Sequence, residues 1–358
     1  MLLALLAACT HTEPAPRPQR APRPGWVLLY YVPYDNDLGP MAPTVLEQIR
    51  AGTAGGGVEA AALVDLPGPG GVSLTMFADG VARPYPDPSL EETGDPATFR
   101  AFLDQAATLY DAEHYAVAVL DHGGGLMELA RDDHPQPRWL DVRDVSAAVA
   151  DFGAAEAGAV ELLFLQVCAK GALSPLLATR EAATVTLASQ GLLGAPNDYY
   201  TPTLQALAAQ PGLSGPALAA EIAQGSMFVS YTCVDNTALG GVAVAARGLV
   251  AAGAAPVAEG ALADSRYHYG GEDYVDLGRL LDALGTPEAA TMAAALRAAG
   301  CGHHVSPSPR AALLDGGPDP AHLSGVSVAV PAGRVLAIDG EVPGWSAFLD
   351  GVLSAPAP

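Results

Sequence analysis

Tyr-Ala-Val-Ala-Val-Leu-Asp-His-Gly-Gly-Gly, residues 115–125, and Leu-Leu-Phe-Leu-Gln-Val-Cys-Ala-Lys-Gly, residues 162–171, are short and almost unbroken apolar runs. Each stops at one reactive residue, His122 in the first and Cys168 in the second. Runs of this length, bounded by glycine and too short for a typical helix, read as strands buried on both faces of a parallel sheet. Such strands bring their carboxyl ends to one edge, where open α/β sheets hold ligands. An imidazole and a thiol at that edge form the pair nucleophilic cysteine catalysis needs, because the thiolate attacks and a nearby base must make it. The separation of 168 − 122 = 46 residues fits one crossover containing a helix. The pair points to a cysteine peptidase.

The flanking chain supports an alternating α/β pattern. Gly25–Pro33 and Gly57–Pro67 read as buried strands and Gly70–Phe77 as an edge hairpin, with a helix over Met41–Arg50. In the turn after the first strand, Asp35 and Asp37 either cap that helix or touch substrate or a metal, capping being the preferred reading. Asp95 as N-cap and Pro96 at the first helical position predict a helix over Phe99–Tyr110. Residues 127–139 read as a polar loop, Leu140–Gly153 as a helix and Val160–Val167 as the strand before Cys168. Helix, strand and helix follow at Ser174–Ala182, Ala183–Ser189 and Thr201–Gln210. Alternation of this kind means crossovers and a largely parallel sheet. From Ser214 the pattern turns helical, over Gly215–Ser230, Thr237–Ala261, Asp273–Leu284 and Pro287–Ala299, with a late strand at Leu323–Pro331 and a helix at Trp345–Leu353.

Composition narrows the partners. The 358 residues carry 17 basic and 39 acidic side chains, a formal charge of −22, which argues against nucleic acid or an anionic membrane surface. The sole lysine, Lys170, does not form a G-x-x-x-x-G-K-[ST] phosphate loop. Residues 1–9 resemble the end of a bacterial lipoprotein signal, with Leu6-Ala7-Ala8 before Cys9 as the lipidation candidate, although no positive segment precedes them. Residues 10–25 hold five prolines and read as an extended linker. The expectation is a bacterial envelope protein, lipid-anchored at the outer membrane or secreted, touching the membrane through the anchor only. Cys233 and Cys301 are either one disulfide or two buried thiols.

With His122 and Cys168 in place, the chain resembles the clostripain family of cysteine peptidases, in the clan of caspases and gingipains. The resemblance rests on Asp121-His122-Gly123 and the Cys168 box, with weaker support from Asp35-Asn36-Asp37-Leu38, Glu92–Pro96, Ala188-Ser189-Gln190, Tyr199-Tyr200-Thr201-Pro202, Tyr274-Val275-Asp276-Leu277 and Gly325-Val326-Ser327-Val328. It implies a caspase-like α/β/α sandwich with a mostly parallel sheet and a helical C-terminal extension. In that scheme residues 26–212 form the catalytic domain and residues 213–358 pack on it. It also implies His122 as general base and Cys168 as nucleophile. The Gly123 and Cys168 amides are the oxyanion candidates, since a glycine lets backbone approach closely.

One departure concerns specificity. Relatives that cut after Arg or Lys usually have Asp two residues before the nucleophile, and this chain has Gln166, which offers no ion pair. Asp198 either supplies a carboxylate to the same pocket or caps the next helix. If basic preference persists, Arg131, Arg138 and Arg143 are maturation cut sites between the His and Cys strands. The chemistry requires no cofactor. Calcium, which assists some relatives, is indicated by no motif, and Cys301-Gly302-His303-His304 lacks a second paired cluster for a metal. The expected partners are peptide or protein substrates. The competing reading is a caspase-like lipoprotein that binds without turnover.

Overall fold

The computed structural model describes residues 24–68, 71–86, 90–228, 230–304 and 319–353. The signal reading of residues 1–9 with Cys9, and residues 10–23 of the Pro-rich stretch, lie outside the described residues. The first half of the chain runs β1 (Trp26–Pro33), α1 (Ala42–Gly52), β2 (Val58–Asp65), β3 (Ser73–Ala78), β4 (Val81–Tyr85), α2 (Pro96–Leu109), β5 (His114–Leu120), β6 (Glu128–Asp132), β7 (Arg138–Asp141), α3 (Val142–Ala155) and β8 (Val160–Gln166). There follow α4 (Leu173–Ala178), β9 (Val185–Ser189), α5 (Tyr200–Ala209), α6 (Gly215–Gly225), β10 (Tyr231–Asp235), α7 (Leu239–Ala252), β11 (Arg266–Tyr269), β12 (Glu272–Asp276), α8 (Leu277–Leu284), α9 (Pro287–Ala299), β13 (Gly300–His304), β14 (Ser327–Ala329) and α10 (Trp345–Leu353).

Among the described residues nine strands form the central sheet, in the order β13-β10-β9-β8-β5-β1-β2-β3-β4. From β9 to β2 the pairing is parallel, and both edges are antiparallel. Every residue of β1 is buried. Alternation sends Val27, Leu29 and Tyr31 to one face, against Phe99 and Phe102 of α2, and Leu28, Tyr30 and Val32 to the other, against Val45 and Ile49 of α1. Helices α2, α3, α4 and α7 cover the first face, and α1, α5 and α6 the second. This is the expected α/β/α sandwich. Burying such runs on both faces is the main favourable term, at roughly 25 cal/mol per Å² of apolar surface.

The Asp95 cap acts as expected, and Asp276, expected inside a helix, opens one instead. Asp95 accepts from the Ala97 N–H to open α2, and Asp276 accepts from the Arg279 N–H to open α8. In three places the structure departs from the periodic reading. Residues 127–139, expected as a loop, contain β6 and begin β7, which pair as a hairpin. The expected helix over Asp273–Leu284 begins as β12, which pairs with β11 across Gly270-Gly271, both at positive φ. That glycine pair is a hairpin signal that the helical spacing of Leu277, Leu280 and Leu281 outweighed. Strands β10 and β13, from the region after residue 212, extend the main sheet. Cys233 of β10 and Cys301 of β13 are joined by a disulfide, Cα–Cα 5.1 Å, which settles the open alternative.

Candidate active site

Strands β5 and β8 are parallel neighbours, and Leu120 stands opposite Gln166. Two residues further along each chain are His122 and Cys168. Register thus delivers both groups to the same carboxyl-end edge of the sheet.

The loop after β5 sits against the turn after β8. A Cβ on Gly123 would fall 2.2 Å from the Cys168 carbonyl oxygen and 3.1 Å from its nitrogen. Only glycine permits this approach, which brings together the two backbones expected to supply oxyanion donors. After Cys168 the chain reverses through Ala169, held at φ 56°, whose N–H donates to the Gly191 carbonyl at 3.0 Å. A left-handed alanine carries backbone strain of a kind that gathers at functional sites.

His122 is oriented from β1. Its Nε2 lies 2.9 Å from Oδ1 of Asp37, in the turn after that strand. Partial burial works to raise the Asp37 carboxyl, but the hydrogen bond and charge of His122 hold it below the ordinary range. With Nε2–H donated to Asp37, the Nδ1 lone pair is the free basic position. Capping, the preferred sequence reading for both aspartates, is not what they do. No side-chain cap opens α1, and Asp35 instead meets Nδ1 of His134 at 2.9 Å. Asp121, buried beside His122, accepts from Asn36 Nδ2 at 3.0 Å and from the Arg131 N–H, and burial pushes its carboxyl well up.

Cys168 is 6% exposed. Its Sγ donates to the Leu193 carbonyl at 3.3 Å and accepts from the Leu193 N–H at 3.2 Å. Burial pushes the thiol up, while the Leu193 N–H, the Tyr269 hydroxyl and the Lys170 ammonium pull the other way. Tyr269, at the end of β11, brings its hydroxyl beside the Cys168 thiol and the Gly123 N–H. Burial and the neighbouring thiol hold its phenol far above the ordinary range, so it remains O–H. The Gly270 turn that follows presses on the same loop, since a Cβ there would fall 2.2 Å from the Gly124 carbonyl. Nothing in the sequence pattern pointed to Tyr269, because the hairpin that carries it was read as part of a helical region.

The specificity candidates separate. Gln166 is 3% exposed, and its amide is engaged by both the Tyr199 and Tyr200 hydroxyls at 2.6 to 3.2 Å. It locks the start of α5, with Oε1 and one of the two Nε2 hydrogens engaged there. Asp198 is exposed and does not cap α5. The maturation candidates are all paired with carboxylates: Arg131 with Asp133, Arg138 with Glu92 and Asp95, and Arg143 with Asp141. Of the three, Arg138 adjoins the exposed tip of the β6–β7 hairpin.

One cluster was missed in the sequence. Asp35, Asp65 and Asp132, far apart in the chain, place buried carboxylate oxygens within 4.8 Å of one another. Thr93 Oγ1 donates to Asp65 and Asp132, and the Gly94 N–H donates to Asp132. Burial raises Asp65 to about 6; Thr93 opposes the shift, and Asp132 and Asp35 add to it. Cys301, by contrast, is spent in its disulfide, and His303 Nδ1 meets Thr232 Oγ1 at 3.0 Å, so the metal reading of residues 301–304 loses its thiolate.

No family model matches the sequence, and no curated protein is similar to it in sequence. Solved structures are similar in fold. A secreted C11 cysteine protease from Bacteroides thetaiotaomicron, in complex with an irreversible peptide inhibitor, superposes with a TM-score of 0.68 at 15% identity, covering 91% of this chain and 99% of that one. An inactive zymogen C11 protease from Parabacteroides distasonis gives 0.67 at 15% identity, over 93% and 98%. The chain therefore has the fold of the C11, clostripain-type cysteine proteases over nearly its whole length.

Proposed function

We propose that the chain is a cysteine endopeptidase. The observation that carries it is the register of β5 and β8, which brings His122 and Cys168 to one edge, with Gly123 against the Cys168 backbone. His122, oriented by Asp37, takes the thiol proton through Nδ1. The thiolate attacks the peptide carbonyl, and the Gly123 and Cys168 amides receive the oxyanion. The imidazolium then protonates the leaving amine, and water hydrolyses the thioester with His122 again as base. The Tyr269 hydroxyl beside the Gly123 N–H gives way as the substrate carbonyl docks.

No cofactor enters this chemistry. If calcium binds, the three carboxylates of Asp35, Asp65 and Asp132 would hold it, oxygen donors suiting a hard cation. With Gln166 occupied, a preference for basic side chains would rest on Asp198. Cleavage at Arg138 would open the β6–β7 hairpin. Anchoring through Cys9 at the bacterial envelope completes the reading; among the described residues no helix is long and apolar enough to cross a membrane.

A second reading, a binding lipoprotein without turnover, is favoured by the buried and fully hydrogen-bonded thiol. Peptide reporters differing only in the residue before the scissile bond separate the two, with a Cys168→Ala control and with and without trypsin pretreatment. Turnover lost in the control establishes the peptidase and reads out its preference. A folded protein that cleaves none of them supports the binding reading.

A further inference from the structure

The chain has one lysine, and it is buried under the candidate catalytic edge. Lys170 is 0% exposed, two residues after Cys168. Its Nζ donates to the Gly125 carbonyl at 3.1 Å and to the Cys168 carbonyl at 3.4 Å. A Cβ on Gly123 would lie 3.1 Å from the same nitrogen, so the ammonium lies directly beneath the His122 loop. A buried ammonium loses hydration, and carbonyl partners return only part of it, so the arrangement is costly for a purely structural spacer.

We propose that Lys170 is the positioning residue of this site, tying the His122 loop to the Cys168 turn through two carbonyls and stabilising the Cys168 thiolate by its charge. The inference rests on the peptidase reading for its purpose, though not for its test. The geometric half follows from peptide planarity. Turning the Cys168 carbonyl toward Lys170 sends the Ala169 N–H of the same peptide the opposite way, onto Gly191, and so fixes the left-handed turn that presents the nucleophile.

The electrostatic half follows from what faces the two groups. The thiol is surrounded by Asp121 after β5, by Tyr231 of β10 and by Tyr267 and Tyr269 of β11, and His122 follows Asp121 in the chain. Of these, Asp121 disfavours the thiolate, as burial does. Lys170 supplies a cation from below, and its own charge is supported by Glu128 of β6 and Glu272 of β12 as well as by the thiolate. Burial brings the ammonium down to about 8, so near neutral pH it is still mostly charged.

The test uses the pH dependence of iodoacetamide alkylation in a Cys9→Ser background, where Cys168 is the free thiol and Cys233 is paired with Cys301. Lys170→Met is expected to move the midpoint up by about one pH unit, cutting the rate near neutrality about tenfold, while Lys170→Arg keeps the midpoint. A folded Lys170→Met protein with an unchanged midpoint overturns the proposal. Should that variant fail to fold, the wild-type protein still answers. Its only lysine gives one resonance under ¹³Cε labelling, and the alkylation profile is expected to inflect at that resonance's midpoint. A profile that passes through that pH without inflection overturns the proposal equally. Because alkylation needs no turnover, a failed peptide assay would strike the peptidase reading alone.

Discussion

Asp37 Oδ1 lies 2.9 Å from His122 Nε2, so a turn after the first strand orients the imidazole that follows the fifth. The contact selects the tautomer with a basic Nδ1, and its carboxylate is largely exposed, so water shares the charge. Asp37→Asn is expected to keep the protein folded and lower kcat/KM about tenfold, well short of the loss seen when a buried triad carboxylate is removed. Steady-state kinetics on the preferred reporter checks it, and an unchanged kcat/KM would remove Asp37 from the mechanism.

Gly123 tests the close approach of the two loops. A Cβ 2.2 Å from the Cys168 carbonyl must push the His122 loop away, misplacing the proposed oxyanion donor. For Gly123→Ala we expect at least about a hundredfold loss in kcat with a melting temperature within a few degrees of wild type. Comparable turnover in the two proteins would mean that the Gly123 amide is not an oxyanion donor.

The Tyr269 hydroxyl lies beside both the Gly123 N–H and the Cys168 thiol. Removing the hydroxyl has two opposed effects, since it frees the amide for the substrate carbonyl and takes a stabilising donor from the thiolate. Tyr269→Phe is therefore expected to raise kcat/KM on peptides by a few fold, the worth of one released hydrogen bond, while slowing alkylation at neutral pH. A roughly hundredfold fall in kcat would show instead that the phenol itself donates to the oxyanion.

Asp65 links the carboxylate cluster to pH. Its folded pKa of about 6 lies above the unfolded value of about 3.9, so the folded state holds this proton more tightly. The stability this contributes is present below the unfolded value and is lost as pH rises toward and through about 6. Asp65→Asn, which keeps a neutral group there, should raise the melting temperature relative to wild type at about pH 7.5 and leave it little changed near pH 4. Thermal denaturation at both pH values decides, and an equal difference at the two would exclude the linkage.

Much of the scaffold was legible because local rules and tertiary demands agree there. The buried runs of β1, β2, β5 and β8 admit one period, and Asp95-Pro96 marks a helix start that the structure uses. The β11–β12 hairpin was hidden because the helical spacing of the adjoining α8 overlaps it, and β10 because its neighbours are helices. Among the site residues, His122 and Cys168 were marked by their place at the ends of apolar strands. Tyr269, Lys170, Asp65 and Asp132 carried no such mark, and Asp35, marked by its turn after the first strand, could not be joined to the other two carboxylates without the packed chain.

By itself, then, the sequence determined the buried central strands, the largely parallel character of the sheet and the two reactive groups that end two of those strands, since hydrophobic periodicity is a local property of the chain. Tertiary structure alone decided what surrounds those groups: Asp37 on His122, Tyr269 on the Gly123 amide, Lys170 beneath both loops and Gln166 turned away onto two tyrosines. These partners lie on different elements, up to well over a hundred residues apart. Their charges and hydrogen bonds act across space over a few ångströms, so only the packed chain determines which of them meet.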